Sequence, residues 1–264
     1  MKRRLGIQTT CIKGQNSLTA LDYIKDAGFD CFFTSTQVAE KAEVAAIKNK
    51  AEKLGLVYEF IHAPFKNVNS MWQEDELTTP FMQGIFQSID NAKECDIPII
   101  ILHSSSTWYP PAMTEEGFKR YDTLIEYAAK KGVKVAIENL RVPAYYESLL
   151  ARYKDNPFVG FCFDSGHEHW TSPDLPHIQR YGDRILCTHI HDNMGKLENY
   201  LTVNGDMHLM PFDGNYDFAN MMRQLNEKNY QGALTLELRS MPEGTNAKEF
   251  YKTAYERLEI ISKM

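Results

Sequence analysis

Residues 159–167 read VGFCFDSGH. An apolar run rich in Val and Phe reaches Asp164 with no polar residue before it, and His167 follows three positions later. A run of this length and composition reads as a strand buried on both faces, the habit of parallel sheets. A carboxylate closing such a strand is out of place unless the strand end has work to do. Five other runs repeat the pattern: VYEFIH to His62, IIILH to His103, VKVAIE to Glu138, ILCTH to His189 and ALTLE to Glu237. Every one of the six closing residues can bind a metal. If the strands run parallel around a closed barrel, all six ends lie on one rim and face a common point.

Working outward, strands are expected at residues 5–8, 30–34, 57–62, 99–103, 134–138, 159–164, 185–191 and 233–237. Stretches of helical period separate them. SLTALDYIKDAGFD opens with Ser17 as the expected cap and has Gly28 where a helix end wants it. VAEKAEVAAIKNKAEKLGL ends at Gly55 in the same way. TEEGFKRYDTLIEYAAKKGV carries acids after Thr114 and Lys130 and Lys131 in its last turn, which suits the helix dipole. FMQGIFQSIDNAKECDIP, DFANMMRQLNEKNYQG and the stretch from Asn246 complete the set. The sixth helix, near residues 174–181, is short and interrupted by Pro176. Eight strand–helix units in alternation predict a single (β/α)8 barrel, a TIM barrel spanning residues 1–264 as one domain. An open doubly wound sheet is the alternative, but it would spread the six ends along a line.

Composition fits this class. The chain has 264 residues, 43% hydrophobic and 24% charged, with a net charge of −6. No apolar run approaches the ~18 residues that span a membrane, and MKRRLGIQTT lacks the apolar core of a signal peptide. The five cysteines show no CxxC spacing. They read as reduced thiols of a cytoplasmic protein. The acidic balance argues mildly against a polyanion binder.

Glu138, Asp164, His189 and Glu237 form a mixed oxygen/nitrogen donor set suited to one divalent ion, with Mn²⁺ or Zn²⁺ foremost and Fe²⁺ or Co²⁺ chemically acceptable. The rim loops add His167 and His169 after Asp164, His191 and Asp192 in THIHDN, and Asp206 and His208 in NGDMHLMPFDG. Of eight histidines only His177 falls outside these segments. One histidine near a strand end is commonly a hydrogen-bonded packing residue, and one glutamate a salt-bridge partner. Six such residues on one rim are better read as a site.

The segments IHAPF, LHSSS, AIENL, CFDSGH, THIHDN, GDMHLMPFDGNYDF and LTLELR, in this order and each after its expected strand, resemble the xylose isomerase-like TIM-barrel superfamily. That superfamily holds sugar and sugar phosphate isomerases and epimerases together with the endonuclease IV group. The resemblance implies, for sugar-acting members, a single metal on residues matching Glu138, Asp164, His189 and Glu237, with His167 at the substrate. For the nuclease group it implies three zinc ions: His62, His103 and Glu138 would hold the first, Glu138, Asp164, His189 and Glu237 the second, and His167, Asp206 and His208 the third. All nine residue types are present, so one to three ions fit.

Two chemistries follow. In sugar isomerisation or epimerisation, Glu138 and Glu237 act as acid/base groups at a carbon next to a metal-bound carbonyl. His62, His103, His167, His191, Trp108 and Arg141 are then candidate substrate contacts. In abasic-site cleavage the metals activate water at phosphorus. The rim loops contain few Lys or Arg for a nucleic-acid backbone. They carry aromatic residues instead: Phe65, Trp72, Trp108, Tyr109, Trp170 and Phe212, which include all three tryptophans. Such faces can cover a sugar, pack the loops, or build a homo-oligomer interface. Arg141 and Arg239 could meet a phosphate or carboxylate, although a surface salt bridge is the commoner fate of each. No Gly-rich phosphate loop is present, which favours a free sugar over a phosphorylated one. The sugar reading is therefore preferred. A metal-binding barrel without catalysis is the third class, against which the retention of both glutamates argues.

Overall fold

A computed structural model describes residues 3–35, 40–199 and 201–264. The strands are β1 (Leu5–Gln8), β2 (Cys31–Thr34), β3 (Val57–His62), β4 (Ile99–Leu102), β5 (Lys134–Glu138), β6 (Val159–Asp164), β7 (Ile185–His189) and β8 (Leu234–Leu236). The helices between and after them are α1 (Ser17–Ala27), α2 (Lys41–Leu54), α3 (Thr78–Glu94), α4 (Glu115–Lys131), α5 (Pro143–Arg152), α6 (Ser165–Thr171), α7 (His177–Tyr181), α8 (Phe218–Glu227) and α9 (Ala247–Ser262). All eight strands run parallel in one sheet, in the order β7-β6-β5-β4-β3-β2-β1-β8. This is the expected TIM barrel.

The seam between β7 and β8 closes by a different means from the other seven. A single bridge joins Ile190 to Leu236, with Ile190 N donating to Thr235 O at 2.8 Å and Glu237 N to Ile190 O at 3.1 Å. Two threonine hydroxyls do the rest. Thr188 Oγ1 donates to Ala233 O at 3.2 Å, and Thr235 Oγ1 donates to Thr188 O. The hydroxyls thus satisfy backbone groups where the ladder is incomplete.

Alternation along the strands divides the core. Ile99 and Ile101 point into the barrel with Phe33, Phe60, Ala136, Cys162 and Cys187, whereas Ile100 and Leu102 face the helices. Phe33 and Phe60 pack against the His189 ring at 5.0 and 5.7 Å and so floor the site. All five cysteines are free and buried. Among the described residues no helix is long and apolar enough to cross a membrane.

Several local expectations need correction. Asn16, not Ser17, caps α1: its side chain accepts from Thr19 N at 2.8 Å, while Ser17 Oγ bonds Thr9 Oγ1 at 2.9 Å. Gly28, with φ 105°, ends that helix as expected. Val38 and Ala39, read as the start of the second helix, lie outside the described residues, as do Met1 and Lys2. Asp30 precedes β2 and accepts from Leu5 N at 3.0 Å. His103, Ile190, His191, Ala233 and Glu237 also fall just outside their strands, His103 at the rim end of β4 and the other four at the incomplete β7–β8 seam. The largest difference is α6, which follows β6 with no loop between them.

Candidate metal and active site

Strand register brings the donors to the same rim. Asp164 pairs with His189, and Glu138 with Cys162 just below Asp164. Glu138 is fully buried and central. Its Oε2 accepts from His103 Nε2 at 3.0 Å and lies 3.5 Å from His62 Nε2. Its Oε1 is 3.2 Å from His189 Nδ1 and 3.3 Å from His167 Nδ1. His189 Nδ1 is also 3.2 Å from Glu237 Oε2 and 3.8 Å from Asp164 Oδ2. The four residues expected to share one ion therefore meet at one imidazole nitrogen.

A second group adjoins the first. His167 Nε2 lies 3.3 Å from Asp206 Oδ2, and His208 Nε2 is 3.1 Å from Asp206 Oδ1. His167, Asp206 and His208 each offer a donor atom within 4.8 Å of the others, as do His62, His103 and Glu138. The two triads are those that the nuclease-type resemblance implies for a first and third ion.

The donor set fits a divalent cation on three counts. First, among the described residues no Lys or Arg pairs with Glu138, Asp164 or Glu237, so three carboxylates gather without a fixed positive charge. Uncompensated charge of this kind is costly away from water. Second, His62, His167 and His208 each turn Nδ1 to a backbone carbonyl, of Ala63, Asn139 and Glu237, at 2.9, 2.9 and 3.1 Å. That arrangement commits Nδ1 to the carbonyl and leaves Nε2 as the nitrogen that a metal would take in place of a proton. Third, the protonation equilibria show the same demand for positive charge. Burial would lower His189, but Glu237 and Glu138 push it up to about 10. Burial would likewise lower His208, and Asp206 pushes it up to about 9. Burial would raise Glu138, yet His189 and His103 hold it well below the usual carboxylate range. His103 moves the other way, lowered by burial that Glu138 only partly offsets.

Supporting residues hold this array. Asp164 caps α6, its Oδ1 accepting from His167 N at 2.6 Å. Asn139 clamps the same residue, donating to Asp164 O and accepting from Asp164 N, both at 2.8 Å. Asp192 accepts from four backbone amides, Asn193, Phe212, Gly214 and Tyr216, at 2.9 to 3.1 Å. It thereby shapes the loop that carries Asp206 and His208. Sequence reasoning passed over Asn139, although it stands next to Glu138 in AIENL. It also passed over the helix-capping role of Asp164, which the D-S-G-H order could have signalled.

The pocket above the donors encloses about 140 Å³ and is lined by His62, His103, Glu138, His167, Asp206, His208 and Glu237 together with Phe65, Leu140, Arg141 and Ser105 to Thr107. Phe65 stacks on His103 at 4.6 Å. Other candidates are placed differently. His191 is fully buried behind the site, where its Nε2 donates to Asp164 Oδ2 at 3.2 Å and its ring stacks on His208 at 4.0 Å, so it is removed from the pocket. Trp108 stands outside this pocket, in a neighbouring chamber. Trp72 is 1% exposed, and its Nε1 donates to Ser104 O at 2.7 Å, a packing role instead of a sugar face. Trp170 is equally buried, Tyr109 projects into solvent, and Phe212 packs on Phe218. Arg141 reaches the pocket and lies 3.7 Å from Asp206. Arg239 lines a separate groove beside Met241.

Comparison with known proteins is consistent with this architecture. A family model described as xylose isomerase-like TIM barrel matches residues 21–259. An inosose isomerase of Halalkalibacterium halodurans is 24% identical over 286 residues, 97% of this chain and 95% of its own. The structure of 3-keto-D-glucoside 4-epimerase, YcjR, from E. coli superposes with a TM-score of 0.76 at 19% identity, covering all of both chains. D-allulose 3-epimerase from Methylomonas sp., solved with D-allulose, gives 0.75 at 15% identity over 98% of this chain and 97% of that one.

Proposed function

The chain belongs to the xylose isomerase-like TIM-barrel family, and from that premise we propose that it is a metal-dependent sugar isomerase or epimerase. The observation that carries the reading is the meeting of Glu138, Asp164, His189 and Glu237 at one imidazole, with both glutamates lining one small pocket. The sugar-acting proteins among the relatives support it. A divalent ion bound there, manganese or zinc, would act as a Lewis acid toward a carbonyl and stabilise the developing negative charge. The chain's own groups handle the proton. Glu138 is held ionised by His189 and His103, which is the form a base needs. Glu237 presents a second carboxylate to the same pocket. One removes the proton from carbon and the other returns it, on the opposite face for epimerisation. Phe65 and Leu140 supply the apolar part of the pocket wall and would limit water at the reacting carbon. His62, His103 and His167 hold hydroxyls or a further ion.

A second reading has a specific observation in its favour. The triads His62–His103–Glu138 and His167–Asp206–His208 would suit a multi-zinc phosphodiesterase. A two-arm assay on metal-replete protein separates the readings. One arm follows solvent deuterium uptake at carbon in a panel of ketoses and aldoses. The other follows incision of a duplex carrying an abasic site. Deuterium uptake without incision is expected; incision without uptake would overturn the isomerase reading.

A further inference from the structure

The metal-type pocket does not end the cavity. Thr107 and Arg141 line both that pocket and a second, more open chamber of about 290 Å³. Trp108, Trp170, Leu201, Thr202, Val203 and Asn204 complete its wall. The first pocket, at about 140 Å³, is smaller than the ~300 Å³ at which small-molecule sites usually begin. The first pocket has room for about one sugar ring, so a substrate larger than that, anchored at the donors, extends into the second chamber.

The chemistry of that chamber is specific. Trp108 stands edge-on to Trp170 at 5.4 Å. Leu201 and Val203 are 48% and 39% exposed, so apolar surface faces the opening. Thr107, Thr202 and Asn204 supply hydroxyl and amide groups. The buried Trp170 indole N–H has no hydrogen-bond partner among the described residues. A Cβ at Gly205 would come within 2.3 Å of that nitrogen, so only a glycine lets the loop run past the indole edge. An apolar wall with scattered neutral hydrogen-bonding groups matches a pyranose ring, which has C–H faces and hydroxyl edges. A phosphate fits less well. Among the described residues Arg141 is the only Lys or Arg lining either chamber, and it is already engaged, over the Trp170 ring at 4.8 Å and 3.7 Å from Asp206.

We propose that this chamber is a subsite for a second, uncharged sugar ring, so that the substrate is a glycoside or disaccharide whose reacting unit sits at Glu138 and Glu237. The proposal rests on the isomerase/epimerase reading and extends it. It is tested by calorimetric titration of the manganese-loaded full chain with D-fructose, with the glucosyl-fructoses turanose, leucrose and isomaltulose, and with D-fructose 6-phosphate. Deuterium uptake into D-fructose is followed in parallel. At least one glucosyl-fructose should bind about tenfold more tightly than D-fructose, the gain of one well-placed aromatic contact. Trp108→Ala should bring that ratio below about twofold, and Trp108→Phe should keep most of it; the ratio is the readout, not either affinity. Equal binding of D-fructose and all three disaccharides, or a ratio untouched by Trp108→Ala, overturns the subsite while leaving the isomerase reading intact. Preference for D-fructose 6-phosphate that is lost in Arg141→Met overturns it in favour of a phosphate site. Absence of any sugar binding together with absence of deuterium uptake removes both.

Discussion

Replacing Asn139 with alanine isolates the device that aims the metal-type site. Asn139 is fully buried, and its amide makes two 2.8 Å hydrogen bonds to the backbone of Asp164. Truncation leaves the N–H and C=O of Asp164 without those partners in a place water does not reach. Each unsatisfied group costs about 1–3 kcal/mol, so the fold should lose about 2–6 kcal/mol. For a chain of this size that corresponds to a melting-point drop of roughly 5–20 °C. Asp164 also loses its fixed orientation, and supporting residues of this kind are worth about 10- to 100-fold in metal affinity. Urea denaturation of chelator-treated protein reads the first effect, and competitive metal titration at fixed pH reads the second. Asn139→Asp separates the two bonds, because it retains the acceptor for Asp164 N and loses the donor to Asp164 O. Stability within about 0.5 kcal/mol of wild type, the size of an ordinary surface change, would refute the reasoning. So would full stability combined with unchanged metal affinity in the alanine variant.

Glu138→Gln and Glu237→Gln should each lower turnover at least ~10²-fold, the usual worth of a positioned acid or base; steady-state kinetics with near-normal turnover in either would remove its assigned role. Asp192→Ala strips the acceptor from four backbone amides and should cost about 3 kcal/mol or more in urea denaturation; a loss below about 1 kcal/mol would show that the loop holds itself. In metal-free protein His189 is pushed up to about 10 and His208 to about 9, above the usual 6.5. The native state then keeps protons the unfolded chain has released. This stabilisation is complete below pH ~6.5 and fades as pH rises through 9 and 10. The margin of wild type over His189→Asn in thermal melts should shrink across that window; a margin that grows with pH would contradict the assignment.

Most of the barrel was legible because parallel strands buried on both faces leave an unbroken apolar run, and because a polar residue at the end of such a run stands out. Hence β1, β3, β5 and β6 match their expected bounds, and the six strand-end residues do meet on one rim. What was not legible depends on three-dimensional accidents of the loops. Trp72 and Trp170 look like rim residues in sequence, but α4 and the 201–205 loop cover them. His191 stands two residues after His189 in THIHDN, a spacing that pleating would keep on one face, yet the turn after β7 sends it behind Asp164. The seam of β7 and β8 is completed by two threonine hydroxyls beside a single backbone bridge, which no periodicity announces. Asp192 reads as one more ligand candidate until its four amide partners account for it.

The central claim is that the rim binds a divalent ion through Glu138, Asp164, His189 and Glu237. A crystal of manganese-loaded protein, with data collected at the manganese absorption edge, tests it most directly. The account predicts an anomalous peak within roughly 2.0–2.3 Å of a donor atom from each of the four residues. A peak held by other residues, or no peak at these four after loading, would contradict it.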